Sequence, residues 1–119
     1  MFGTTLYFPT LNTKGNQAFV KAFTAKFGRA PDYHAALAYA SLKILADAVN
    51  KVGSLDQAKI RDALLNTSEG TVAGHFQVPK TGMQSGYSSY ALQWQKGKQE
   101  LVWPQSQETT APILPHPAW

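Results

Sequence analysis

The chain has 119 residues and a net charge of +4; 44% of it is hydrophobic, 12% aromatic and only 15% charged, against a usual charged share of about 25%. That balance excludes a disordered tail, a collagen-like chain and a charged coiled coil, and it implies more covered surface than an ordinary small monomer has. With no cysteine there is no disulfide framework, thiolate metal site or cysteine nucleophile. The basic residues are scattered, with Lys14, Lys21, Lys26 and Arg29 the only loose cluster, so no nucleic-acid partner is expected.

Met1 to Thr5 carries neither a basic segment nor a long apolar run, so no signal peptide is expected there. Leu6-Tyr7-Phe8, stopped by Pro9, reads as a strand end or extended entry segment. Asn12 or Thr13 is the predicted cap of a helix reaching Phe27, with Gly28 as its stop. Phe19, Phe23 and Phe27 recur every fourth residue beside Val20, which predicts an apolar core face. Asp32 is the predicted cap of a second helix over Tyr33–Val52. Its polar residues Lys43, Asp47, Asn50 and Lys51 form one narrow stripe, with Asp47 and Lys51 in the favourable acid-first order. Most of its remaining circumference is apolar, so it should pack on several sides at once.

Gly53 ends that helix. Ser54-Leu55-Asp56-Gln57 reads as a capping box for a third helix that stops near Asn66. The period then changes. Thr71–Val78 is expected to be a strand broken by Gly74, with a turn at Pro79-Lys80-Thr81-Gly82. Tyr87–Gln95 and Gln99–Trp103 read as strands joined through Lys96-Gly97. From Pro104 the chain has four prolines and ends in Trp119, the pattern of an extended tail.

Catalytic chemistry finds no support. His34, His75 and His116 lack metal-ligand spacing to any His, Asp or Glu, and no metal or other cofactor is expected. Gly82-Met83-Gln84-Ser85-Gly86 has one residue too many before the serine for a nucleophile elbow, and no phosphate-binding glycine loop occurs. The aromatic set Tyr7, Phe8, Tyr33, Tyr87, Tyr90, Trp94 and Trp103 has the residue types that line ligand clefts. Trp94 and Trp103 are expected instead to face each other across the hairpin or to pack on a helix. Tyr7 and Tyr33, at element junctions, remain the candidates for ligand contact.

A collinear series carries a family resemblance. Tyr7-Phe8-Pro9 is followed by Asn16 to Phe23, Phe27-Gly28-Arg29-Ala30-Pro31, Tyr33 and the Ala-rich stretch Ala35 to Ala40. Then come Leu45-Ala46-Asp47-Ala48, Gly53-Ser54, Lys59 to Leu64, Thr71 to Phe76 and Leu92 to Gly97. The series resembles the C-terminal third of the branched-chain amino-acid-binding proteins, the type I periplasmic substrate-binding components of ABC importers.

The resemblance implies an α/β chain with a partial type I periplasmic-binding fold: about three helices, then a strand and a C-terminal β-hairpin. Residues 1–103 would be the C-terminal segment of a two-lobed binding protein. Within it 8–85 would complete one lobe and the hairpin 87–103 would return to the other, leaving 104–119 as tail. Tyr7 would lie near a crossover at the cleft rim. Tyr33 would start a helix whose N-terminus favours a carboxylate. The family usually has an acidic residue and a glycine after the strand holding Gly74 and Phe76; here Gly82 is kept and the acid is not. The implied parent is a non-enzymatic, periplasmic carrier of an amino acid or small carboxylate, with a membrane permease as partner. The chain alone would bind weakly or not at all. The alternative is an interaction module that self-associates into a homo-oligomer through its apolar helix and hairpin surfaces.

Overall fold

In a computed structural model that describes residues 1–115, strand β1 (Phe2–Thr5) leads through a loop to helices α1 (Asn16–Phe27), α2 (Tyr33–Val52) and α3 (Gln57–Leu65). Strands β2 (Ser68–Thr71) and β3 (Gly74–Gln77) follow, then β4 (Tyr90–Gln95), β5 (Lys98–Trp103) and a 3-10 turn at Gln105–Gln107. The strands form two antiparallel sheets, β1-β4-β5 and β2-β3. The two-stranded sheet is too small to stand without cover.

Local signals set most helix ends. The Asp32 side chain accepts from the Ala35 amide at 2.9 Å, and Gly53 closes α2 with φ +69°. Gly28 does the same for α1. The start of α1 differs from expectation: its cap is Gly15 at φ +77°, with no side-chain bond. Thr13 is drawn away, because its hydroxyl donates to the Val72 carbonyl at 2.6 Å. Asn12 is tied by its backbone N–H to Gln107 Oε1. In the same way α3 is capped by Asp56, which accepts from the Lys59 amide at 3.0 Å, while Ser54 bonds the Asp56 amide instead. The surface ion pair on α2 joins Asp47 to Lys43 at 2.7 Å rather than to Lys51.

The expected strand over Thr71–Val78, broken by Gly74, is instead the turn and second arm of a hairpin. β2 pairs with β3, Ser68 opposite Gln77 and Thr71 opposite Gly74. Gly74, at φ +125°, turns the chain where a continuous strand would need it extended. The pairing partner, Ser68-Glu69-Gly70, carries no alternation that marks a strand. The turn after β3 does form, with the Gly82 amide on the Pro79 carbonyl at 2.9 Å.

Lys96 and Gly97 both take left-handed backbone between β4 and β5, the two-residue turn expected for this hairpin. The tryptophans do not face each other. Trp94 lies opposite Gln99 near the turn and Trp103 opposite Ala91 at the far end. Ala91 pairs with Trp103 while Leu92 pairs with Leu101, so Val102 is the extra residue of a bulge. The bulge buries both Leu101 and Val102, and the two indoles lie about half exposed at opposite ends of the hairpin. β1 lacks any alternation in sequence and owes its strand to pairing with β4, Phe2 opposite Gln93.

One core runs through these pieces: Tyr7, Leu11, Phe19, Ala36, Ala40, Val72, Tyr90, Leu92 and Leu101 pack together. Phe19 contributes as expected, whereas Phe27 is exposed, its ring tilted against that of Phe23 with centroids 4.5 Å apart. On α2 the buried stripe is Ala36, Ala40, Ile44 and Ala48, all short or slender. Leu42 is 68% exposed and Leu45 45%, so the helix keeps a second apolar face without cover. The radius of gyration, 16.9 Å, exceeds the roughly 13–14 Å of a compact chain this long.

The tail is ordered by side chains. Gln93 is fully buried; its Nε2 donates to the Ile113 carbonyl at 3.0 Å and its Oε1 accepts from the Ile113 amide at 2.8 Å. One side-chain amide thus stands in for a neighbouring strand. The predicted tail extends to Trp119; His116 and Trp119 lie outside the described residues.

Candidate functional site

The exit of β1 decides where the two candidate tyrosines go. Thr5 Oγ1 donates to the Tyr7 carbonyl at 2.8 Å and accepts from the Tyr7 amide at 3.3 Å. This local turn sends Leu6 outward and Tyr7 inward. Tyr7 is 2% exposed, and its hydroxyl is engaged by Asn16 Oδ1 at 2.7 Å. Burial pushes the Tyr7 hydroxyl up to about 12, against the smaller opposing pull of the Asn16 bond. The residue therefore offers a ligand almost no surface.

Tyr33 is placed differently. It is the first residue of α2, with its ring against that of His34 at 3.9 Å. It lines a shallow cleft of about 200 Å³ with Thr4, Thr5, Leu6 and Ser89. The cleft is mixed in character: an aromatic ring and a leucine for apolar contact, and three hydroxyl-bearing residues for polar contact. Tyr7 and Tyr33 thus sit on two sides of one short segment, and only Tyr33 faces the cleft. Thr4, Thr5 and Ser89 were not legible as cleft residues, since small hydroxyl side chains beside a strand carry no pattern of their own.

The α2 N-terminus already holds an anion. Asp32 accepts from Ala35, and that backbone hydrogen bond, with help from Arg29, keeps its carboxyl below the ordinary value of 3.8. An incoming carboxylate at this helix end meets a like charge, so it must draw on the hydroxyl groups of the cleft and not on the helix alone. Among the described residues no group of three His, Asp or Glu is placed to hold a metal ion. His75 bonds Ser68 across the β2-β3 hairpin at 2.9 Å. The near-miss serine motif ends at Gly86, where a Cβ would run into the His75 carbonyl; its glycine serves a close backbone approach.

Comparison with known proteins matches this arrangement to one family. The sequence profile described as periplasmic binding protein matches residues 1–99. A Leu/Ile/Val-binding protein homologue of Brucella melitensis is 28% identical over 108 residues, covering 87% of this chain and 27% of that protein. Among solved structures, the leucine-binding protein LivK of Thermotoga maritima superposes with a TM-score of 0.73 at 26% identity, covering 85% of this chain and 29% of the other. A substrate-binding protein of Desulfitobacterium hafniense, solved with leucine, gives 0.75 at 21% identity, covering 85% of this chain and 30% of the other. A solute-binding protein of R. palustris, solved with benzoate, gives 0.73 at 23% identity, covering 94% and 31%. The chain spans less than a third of the length of these relatives.

Proposed function

Because the chain belongs to the periplasmic binding protein family, we propose that it is the C-terminal portion of a solute-binding component of an ABC importer. The family is one of binding proteins, and its partial type I fold is the architecture described above. In this reading residues 8–85 complete one lobe and 87–103 return to the other. The ligand is an amino acid or related small carboxylate, the working place is the periplasm, and the partner is a membrane permease. The observation that carries it is the collinear match over residues 1–99, joined to a fold shared with a leucine-binding protein.

Tyr33 is the proposed ligand-facing residue, with Thr4 and Ser89 supplying hydroxyl contacts; the Thr5 hydroxyl is taken up by Tyr7. Tyr7 enters as a positioning residue: its anchorage at Asn16 fixes the segment from which Thr5 and Leu6 reach the cleft. Tight binding in such a protein comes from enclosing the ligand as two lobes close. The isolated chain accordingly binds at this cleft weakly or not at all.

The test grafts the chain in place of the matching segment of the Thermotoga leucine-binding protein. A folded chimera is expected to bind an amino acid or aromatic carboxylate by titration calorimetry, and Tyr33→Ala to weaken it. A chimera that melts cooperatively and binds no member of either class overturns the reading.

A second reading, self-association, is favoured by the uncovered Leu42 and Leu45. An apolar helix face of this kind is the usual ground for homomeric contact. Light scattering over a concentration series decides: mass that rises with concentration, and falls back in Leu42→Glu, supports it. A concentration-independent monomer overturns it.

A further inference from the structure

A groove between α3 and the β2-β3 hairpin shares no residue with the Tyr33 cleft. Its volume is about 390 Å³, within the range of small-molecule sites. One wall is α3, where Arg61, Leu64 and Leu65 stand at i, i+3 and i+4 and so share a face. The other is β3 and its continuation, where Phe76 and Val78 stand two residues apart and so point to one side. The turn after it, closed by the Gly82 amide on the Pro79 carbonyl at 2.9 Å, adds Lys80. The four apolar side chains are only half-buried, and α3 has no fully buried residue.

The ionic side chains lining the groove are Arg61 and Lys80, both cations. Lys80 makes no hydrogen bond or ion pair among the described residues. Arg61 is engaged by Asp62 at 2.9 Å, but both side chains are largely exposed, and such a pair holds its partners weakly. Because the two charges share one sign, the groove selects a negative head group whichever end that group occupies. The walls select an apolar body. Two cations are too few to hold a bilayer surface, where attachment takes a cluster of about four or more; a recess of this size suits one chain.

We propose that this groove binds a single-chain anionic amphiphile from free solution, its alkyl chain between Leu64, Leu65, Phe76 and Val78 and its head group at Arg61 and Lys80. The site is independent of the proposed function, whose cleft has no cation in its lining.

The experiment titrates the full 15N-labelled chain with octanoate, octyl sulfate, octan-1-ol, octylammonium and butanoate, each below its aggregation concentration. Octanoate and octyl sulfate are expected to shift the Leu65, Phe76 and Lys80 amides saturably and with similar affinity. Octan-1-ol should bind about tenfold more weakly, the scale of one lost charge-assisted hydrogen bond, and octylammonium more weakly still. Butanoate should bind about a hundredfold more weakly than octanoate, at about threefold for each of four lost methylenes. Lys80→Met and Arg61→Met should each narrow the preference for octanoate over octan-1-ol, and the double variant should abolish it. Equal binding of octanoate and octan-1-ol by the unaltered chain overturns the proposal. So does a double variant that keeps the preference, or the lack of saturable shifts at these amides. Shifts confined to Thr4, Thr5, Leu6, Tyr33 and Ser89 overturn it too, while supporting the proposed cleft. Shifts produced only by phosphatidylglycerol vesicles assign the groove to a membrane surface, and shifts produced by protein concentration alone assign it to a second copy; either overturns the proposal.

Discussion

The Tyr7 hydroxyl donates to Asn16 Oδ1 at 2.7 Å, and the Asn16 amide group passes the connection on to the Pro9 and Leu11 carbonyls at 3.0 and 2.8 Å. Both side chains are buried. The pair thus joins the exit of β1, the loop after it and the first residue of α1 in one satisfied network. Such networks are costly to break in part, because each removed member leaves a buried polar group without a partner.

Asn16→Ala is expected to cost about 2–4 kcal/mol, since it strips the partner from Tyr7 and from two carbonyls at once. Tyr7→Phe should cost less, about 1–3 kcal/mol, because it orphans Asn16 Oδ1 alone. Denaturant unfolding of both variants ranks them; equal costs would mean that the two Asn16 donors carry no weight.

The same tyrosine predicts an alkaline limit. Its hydroxyl titrates at about 12 in the folded chain and at 10.0 ordinarily, so the folded state keeps a proton that the unfolded state releases. That stability is fully present below pH 10.0 and is lost as the pH climbs towards 12. Burial raises Tyr90 in the same direction. Melting temperature should therefore fall over this window, and less steeply in Tyr7→Phe.

On the acid side Asp32 has the opposite sign. Its carboxyl is held below 3.8, so its contribution is present above that value and fades as the pH falls through the folded one. Asp32→Asn, which still accepts from the Ala35 amide, should melt close to the parent at neutral pH and lose part of the acid dependence. Asp32→Ala should be the less stable of the two at neutral pH. Thermal melts between neutral pH and about pH 3 check both statements.

Gly86→Ala is expected to destabilise by about 1–3 kcal/mol, because its Cβ would press on the His75 backbone. Gly3→Ala, which meets nothing within 4 Å, should stay within about 0.5 kcal/mol. Comparable losses at both glycines would contradict the close approach.

Gln93→Ala should release the tail while leaving the β4-β5 hairpin paired. Hydrogen exchange is the measurement: the Ile113 amide, now bonded to Gln93 Oε1, should exchange much faster in the variant. Amides inside β4 should change little.

What could be read in advance follows from where the information lies. Asp32, Gly53 and Gly28 act on amides and carbonyls within a few residues, so the span of α2 and the end of α1 are visible in local sequence. Thr13 has the right side chain for a cap, yet Val72, far along the chain, takes its hydroxyl. Trp94 and Trp103 share a hairpin, but the two-residue Lys96-Gly97 turn pairs Trp94 with Gln99, well short of Trp103; that follows from the turn and not from aromatic pairing. Tyr7 and Tyr33 look equivalent as junction aromatics; the Thr5 turn sends one into the core and leaves the other at the cleft.

The sequence by itself determined the helices, the Lys96-Gly97 turn and the family, because capping, helical period and a collinear series are short-range or ordered along the chain. Only the tertiary structure decided which face of α2 is covered, that β1 is a strand, that the Thr71–Val78 segment folds back on Ser68–Thr71, and which polar groups meet. Those outcomes depend on pairings between residues distant in the chain, such as Phe2 with Gln93 and Gln93 with Ile113. A buried donor or acceptor takes whichever partner the packing brings within about 3 Å.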